Sequence, residues 1–280
     1  MFNNTHLKNQ NTLTQKVYDY YNNKKQDRNL IQAKDGYVHH HFGLGNVNLK
    51  EYNTETITSE IQRLENNLTK KLIKLLNYDN DSETNTIDIG CGRGGNMFTI
   101  ANLYSKSKID GINITHYQTD YCNELIKKYN LQNRLEVRQA NFLSMPYGDE
   151  TFSHAYCCEV TQYAINLNNL FEETYRVLKK NGIFVIATWC YNEKSNKDIL
   201  KNLIEPINDH YASTMHSLKE YKESLIKNDF KIIVEEDDTN NLLPYWNLRK
   251  QWQLKSGIEE NFIKGFNNKD LLYVFLVGKK

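Results

Sequence analysis

The order of elements in this sequence predicts an α/β fold with a largely parallel sheet covered by helices on both faces. Short apolar runs alternate with helical patterns from Asn85 to the C-terminus, the arrangement of strands joined by crossover helices. The first apolar run ends in a glycine-rich turn, IDIGCGRGGN, Ile87 to Asn96. The 280 residues suffice for one sizeable core with an added cap, and no repeat or Pro- or Gly/Ser-rich linker divides them. The expected division is an N-terminal helical cap and lid over 1–80 packed on a main domain over 81–280.

The elements follow in order. Residues from Asp19 to Gln32 are polar with scattered aromatics and read as a capping helix. TETITSEIQRLENNLTKKLIKLL places Ile57, Ile61, Leu64, Leu68, Leu72 and Leu75 on one helical face. NTIDIG is a buried strand, and CGRGGNMFTIANLYS a tight turn entering a helix. KIDGINI is the second strand, followed by a helix with Thr115 as its N-cap. RLEVRQANF and FSHAYCCEV are the third and fourth strands. LNNLFEETYRVLKKNG is a helix expected to close at Gly182, and IFVIATWC a fifth, strongly apolar strand. LKEYKESLIKNDFKIIVEEDD gives a helix and a sixth strand, then comes an aromatic-rich segment, and LLYVFLVGK is the seventh strand. A C-terminal hairpin joined to the parallel sheet fits that ending.

Composition excludes several classes of function. Lys+Arg and Asp+Glu number 35 and 34, so the chain offers no bulk electrostatic footprint for nucleic acid. The N-terminal residues are polar rather than signal-like, and nothing resembles the roughly 18 consecutive apolar residues of a membrane span. Cys91, Cys122, Cys157, Cys158 and Cys190 form no CxxC pair, as expected for reduced thiols in a cytoplasmic protein. Oligomeric state is left open, a homo-oligomer included.

IDIGCGRGGN puts glycines where a chain must turn sharply and approach a ligand closely. A plain strand-to-helix turn would also account for them. The spacing departs from G-x-G-x-x-G and no G-K-[ST] follows, so a nucleotide lacking a pyrophosphate fits better. Together with DGINIT, ANFLSMPYGDETFSHAYCCEV and RVLKKNGIFVIATW, the loop resembles the successive motifs of class I S-adenosylmethionine-dependent methyltransferases. The resemblance covers about half the chain in family order, and it implies a Rossmann-like, mainly parallel seven-stranded sheet. It implies S-adenosyl-L-methionine as cofactor, with Gly90, Gly92 and Gly94 turning beneath its methionine part and Asp88 anchoring its amino group. Asn113 stands where the family usually has an acid for the ribose hydroxyls, with Gln118 as its helper. Asn141 and Phe142 would contact adenine, although Phe142 reads equally well as a core aromatic.

The acceptor is suggested by the flanks. An alkene that accepts a methyl group becomes a carbocation, which calls for π faces or a carboxylate and for a base. The chain is 12% aromatic with 19 tyrosines. DGYVHHHFGLGN, RLENN, CCEVTQYAINL, LLPYWNLR and SGIEENFIKGF resemble the geranyl diphosphate C-methyltransferase group, related to the sterol C-methyltransferases. Consecutive His39, His40 and His41 cannot all face one ion from a regular element, which disfavours a zinc site. The resemblance instead implies a lid, with Tyr37 and Phe42 lining the pocket, His41 near the substrate, and glycines bending over the cofactor. It further implies Mg²⁺ on the substrate diphosphate, with Asn29, Glu65 and Glu159 as candidate ligands. Glu159 at the end of the fourth strand is also the candidate base or cation stabiliser. Tyr245, Trp246 and Phe262 would wall the hydrocarbon pocket. The implied small-molecule substrate is a prenyl diphosphate: geranyl first, then isopentenyl and farnesyl. The alternatives are an N- or O-methyltransferase of a small amine or polar lipid, and a non-catalytic cofactor-binding subunit.

Overall fold

Strand β1 (Thr84–Ile89) is buried on both faces because it lies inside the sheet, with only Asn85 exposed. The computed structural model describes residues 4–22, 37–78 and 82–280. Within them one sheet also contains β2 (Ser107–Asn113), β3 (Leu135–Gln139), β4 (Phe152–Cys158), β5 (Leu178–Tyr191), β6 (Lys231–Asp237) and β7 (Leu271–Lys279). The order is β3-β2-β1-β4-β5-β7-β6. The first five strands are parallel, and β7 runs antiparallel to both β5 and β6. The helices are α1 (Asn4–Asn22), α2 (Thr54–Leu76), α3 (Gly95–Leu103), α4 (His116–Lys128), α5 (Leu167–Val177), α6 (Lys197–Tyr211), α7 (Leu218–Lys227), α8 (Thr239–Gln251) and α9 (Glu259–Asn267). From β1 the chain steps outward to β2 and β3, then crosses back to β4 on the other side. That reversal opens a crevice at the carboxyl ends of β1 and β4.

Local chemistry explains most boundaries. Asn53 and Thr56 form a reciprocal capping box that starts α2. Its face buries Ile57, Ile61, Leu64, Leu68 and Leu72, and ends on Leu76 rather than the expected Leu75. An i+4 step keeps Leu76 above Leu72, and Leu75 is half-buried at the edge of the same apolar cluster. These side chains join the same apolar cluster as Val185, Ala187 and Tyr273 of the sheet. The segment before α2 is fastened to it: Leu44 N–H donates to Leu64 O at 2.9 Å, and Asn67 Nδ2 donates to Leu44 O at 3.1 Å.

Some expectations needed correction. The helix expected to close at Gly182 stops at Val177, since Leu178 already pairs with Phe152 and opens β5. The turn after it uses Asn181 at φ 65°, and Gly182 lies within the strand. The C-terminal pair is no simple hairpin: β7 inserts between β5 and β6, and α8 and α9 occupy the connection. Thr115 is the N-cap residue of α4, but its hydroxyl makes no capping bond. Asn113 Oδ1 accepts from Thr115 N–H instead. Helix α6, opened by the Asn196 side chain, had no counterpart in the sequence reading. The capping helix read over Asp19 to Gln32 overlaps α1 only to Asn22; the rest, Asn29 included, lies outside the described residues.

Gly43 is needed for close packing. A Cβ there would come within 2.6 Å of Leu64 Cβ and 2.7 Å of Tyr245 Cδ2. Gly43→Ala is expected to lower stability by about 1–3 kcal/mol through overpacking, read from the urea midpoint. Gly148→Ala, where a Cβ would meet nothing closer than 3.8 Å, is the control expected to leave it unchanged.

Candidate active site

The turn after β1 runs left-handed three times, at Gly90 (φ 82°), Gly92 (54°) and Gly94 (77°). A Cβ on Gly90 would lie 2.4 Å from Val160 Cγ2, and one on Gly92 would lie 3.1 Å from His40 Cδ2. The loop is therefore backbone pressed closely against its surroundings, and it edges a cavity. Gly90, Gly92, Asn113, Gln118, Phe142 and Glu159 are among its lining residues. Asn113 Nδ2 donates to Gln118 Oε1 at 2.9 Å, so the two amides hold each other at the mouth of β2. The space, the glycine cradle and the paired amides fit a nucleoside-bearing cofactor.

Three residues expected near the cofactor do not line this cavity. Gly94 caps α3, and Phe98 and Cys122 would crowd a Cβ there. Asp88 is buried beneath the loop and accepts from the Tyr156 hydroxyl at 2.7 Å. Burial pushes its carboxyl up to about 7, against the lowering effect of that bond. Asn141 spends its side chain on its own turn, accepting from Leu143 N–H at 2.9 Å, while Ala140 and Phe142 on either side line the cavity.

Glu159 stands where the cavity meets the second half of the site. Of the non-glycine residues with positive φ among the described ones, it alone is buried. Such backbone costs on the order of 1–3 kcal/mol, a pattern concentrated at functional sites. Its conformation is held by Glu159 N–H donating to Ala187 O (2.8 Å) and Gln162 Nε2 donating to Glu159 O (2.7 Å). Carboxylate Oε1 accepts from Phe42 N–H at 2.8 Å and from the Tyr273 hydroxyl at 2.9 Å. Burial raises this carboxyl well above its ordinary range; the two donors pull it down, and the charge of Glu65 adds to the rise.

Glu65 is 1% exposed and accepts from the Tyr245 hydroxyl at 3.1 Å, while neighbouring Arg63 pairs with Glu60 instead. Two buried carboxylates that feel each other's charge suit a hard divalent ion whose remaining ligands are phosphate oxygens and water. Among the described residues no cluster of three or more His, Cys, Asp or Glu side chains forms a self-sufficient metal site.

Beyond Glu159 lies a box of aromatic rings around Phe42. Trp189 stacks on Phe42 at 4.8 Å and 16°, while Trp246 and Phe262 meet it edge-on at 4.6 and 5.3 Å. Trp246 and Phe262 stack on each other at 4.2 Å, and Tyr245 lies 6.1 Å from Phe42. The indole N–H groups of Trp189 and Trp246 have no acceptor among the described residues, so these rings are placed for their faces. The rings pack on one another, and Phe42, Tyr245, Trp246 and Phe262, expected to line the pocket, do not line the cavity but back it behind Glu159.

The three histidines divide. His40 lines the cavity and accepts from Arg93 Nη1 at 3.0 Å. His41 does not reach the cavity: its Nδ1 donates to Phe42 O (2.8 Å), leaving Nε2 to face His39 Nδ1, Thr69 Oγ1 and Asn96 Oδ1, each at 3.1 Å. This knot ties the lid to α2 and α3 and presents Phe42 N–H to Glu159. Tyr37 also lies away from the cavity, stacked on Phe98 at 5.6 Å and 6°. The glycines of the lid do not bend over the cavity either, because Gly43 is pressed against α2 and Tyr245.

Sequence reasoning missed Val17, Tyr21 and Tyr163, which also line the cavity, and Trp189. Gln10 fastens α1 by donating to Tyr163 O (3.0 Å) and accepting from Ile165 N–H (2.7 Å). A tryptophan at the carboxyl end of a strand was the one visible hint of Trp189.

Comparison with known proteins agrees with this geometry. Residues 80–252 match the family model described as a methyltransferase domain. Over 93% of its length the chain is 30% identical to geranyl diphosphate 2-C-methyltransferase of Streptomyces coelicolor, covering 90% of that protein. The enzyme of the same name from Saccharopolyspora erythraea is 27% identical over 94% of the chain and 93% of its own. The S. coelicolor crystal structure, in complex with Mg²⁺, geranyl diphosphate and S-adenosyl-L-homocysteine, superposes with a TM-score of 0.87 at 27% identity. It matches 95% of this chain and 97% of its own.

His39 and His41 are held down at about 4 and about 3, against an ordinary 6.5, chiefly by burial. The unfolded chain therefore takes up protons first. The stability the neutral pair contributes is complete above pH 6.5 and is lost as pH falls toward 4. Urea denaturation at pH 7 and pH 5 is expected to show a smaller drop in a His39→Gln/His41→Gln variant than in the wild type. Equal drops would reject the neutral buried pair.

Proposed function

Because the chain belongs to the class I methyltransferase family, we propose that it is an S-adenosylmethionine-dependent C-methyltransferase acting on an alkene carbon of a prenyl diphosphate. The single observation behind this reading is the buried, strained Glu159, set between the glycine-edged cavity and the aromatic box. A hydroxyl acceptor would have little use for a cluster of rings, which suits an acceptor that becomes cationic. A cation formed on a hydrocarbon needs such a cluster. The relatives named for geranyl diphosphate make that acceptor the first choice, with isopentenyl and then farnesyl diphosphate after it.

When bound, the cofactor supplies an electrophilic methyl group on its sulfonium. In the proposed reaction the alkene π pair forms the new C–C bond and the sulfonium C–S bond breaks. A tertiary cation remains on the substrate. Loss of an adjacent proton restores a double bond. Phe42 and Trp246 would stabilise the cation beside them, with Phe262 backing them, its own faces taken by Trp246 and Phe266. Glu159 takes the proton at its carboxylate, whose basicity is raised by burial. The rings around it keep water from quenching the cation.

Gly90, Gly92, Asn113, Gln118 and Phe142 are the proposed cofactor contacts, with Asp88, Gly94 and Asn141 supporting them from behind. Mg²⁺ would be held through Glu65, with diphosphate oxygens and water as its other ligands, leaving the Glu159 carboxylate to take the proton. Among the described residues no helix is long and apolar enough to cross a membrane.

Labelled S-adenosylmethionine incubated with isopentenyl, geranyl and farnesyl diphosphates is expected to label at least one of them with Mg²⁺ and none with EDTA. Metal-independent label, or label confined to amines or lipids, would reject the reading. Glu159→Gln is expected to bind cofactor normally by calorimetry and to lose about 10²–10⁴-fold in turnover. A near-normal rate would remove Glu159 from the chemistry.

A further inference from the structure

We infer that Tyr273 is the positioning residue that holds the Glu159 carboxylate in its proton-accepting form and leaves Oε2 to take the proton, an inference that rests on the reading of Glu159 as the base above. The Tyr273 hydroxyl donates to Glu159 Oε1 at 2.9 Å, and Phe42 N–H donates to the same oxygen at 2.8 Å. Both donors thus fall on one oxygen. Oε2 accepts from no donor among the described residues, and Glu159 lines the cavity. An oxygen that already holds two donors is the poorer proton acceptor, so the open one takes the proton.

The hydroxyl is held in place from the backbone outward. Tyr273 pairs with Trp189 of β5, its N–H donates to Thr239 Oγ1 at 2.9 Å, and its carbonyl accepts from Asp238 N–H at 2.8 Å. Its ring is fully buried, 5.7 Å from Phe275 and 6.0 Å from Phe42. Glu159 is the one hydrogen-bond partner of the hydroxyl among the described residues. The titratable groups within electrostatic reach of the carboxylate are Glu65 of α2, Cys158 beside it, Tyr163, Tyr211 of α6, Tyr245 of α8 and Tyr273 of β7. Burial keeps the thiol and the phenols protonated, and the charge of Glu65 works against ionisation of Glu159. Of these side chains Tyr273 alone is bonded to the carboxylate and favours its charged form. Burial also holds the phenol proton on Tyr273, so the hydroxyl lends a hydrogen bond without giving that proton up. An ammonium or guanidinium in its place would form an ion pair and leave a weaker base.

Tyr273→Phe removes the hydroxyl and keeps the ring. Losing the donor favours the protonated acid, so the acid limb of the kcat/KM profile for the prenyl diphosphate is expected to move up by about one pH unit. On that limb the rate should fall roughly tenfold and recover as pH rises, with cofactor affinity by calorimetry unchanged. Infrared spectroscopy gives a readout besides activity. The carbonyl band of protonated Glu159, identified by its absence from Glu159→Gln, should appear at correspondingly higher pH in Tyr273→Phe. Tyr78→Phe, which removes a hydroxyl bonded to Thr86 at 2.9 Å, is the control for a lost hydroxyl elsewhere and should leave limb and band in place. 3-Fluorotyrosine at position 273, a more acidic donor, should move both to lower pH, and it carries the test if the phenylalanine variant does not fold. A limb and a band unmoved in the folded position-273 variants overturn the inference while leaving Glu159 as the base. A near-normal rate in Glu159→Gln, or methylation of no prenyl diphosphate by the wild type, overturns the parent reading and this inference with it.

Discussion

Glu159 is a carboxylate in a place with almost no water, and the rest of the site is arranged around that constraint. A buried carboxylate without donors takes up a proton or is expelled. Here the donors are a backbone N–H from the lid, at Phe42, and a hydroxyl from the last strand, at Tyr273. The two come from opposite ends of the chain. The bond from Phe42 thus joins the N-terminal segment to the sheet and, by the same contact, closes the hydrocarbon side of the site. Losing it would leave the carboxylate short of a donor and the box without its central ring.

The histidine run is explained by this requirement. Phe42 N–H points at Glu159 only if the preceding residues are held rigidly, and a knot of neutral polar side chains under the lid does that without adding a charge beside the carboxylate. His41 and His39 are buried, with burial disfavouring their charged forms. Their work is done against Thr69, Asn66 and Asn96. His40 alone turns to the cavity, because successive residues of an extended segment face opposite sides.

The two halves of the site differ in character for physical reasons. The cofactor half is built of backbone, glycine turns and paired amides at strand ends, and suits a polar nucleoside. The acceptor half is built of ring faces with few polar ties, and suits a hydrocarbon that becomes positively charged for an instant. Glu159 belongs to both, and its left-handed backbone lets one residue turn from the end of β4 toward each of them.

The sequence by itself determined the sheet, its strands in order, and the glycine turn, because these rest on local periodicity and on backbone demands that only certain residues meet. It also placed Glu159 at a strand end and pointed to Phe42, Tyr245, Trp246 and Phe262 as aromatic neighbours. Side-chain direction across long separations was not legible. Nothing local shows that His40 faces the cavity while His41 faces Thr69, that Asp88 bonds Tyr156, or that Gly43 is needed against Leu64 and Tyr245. Trp189 read as one more apolar residue of a buried strand until β5 was paired with β4 and the lid laid Phe42 across it. Those relations depend on which elements pack together, and they are decided only when the whole chain buries its apolar surface at once.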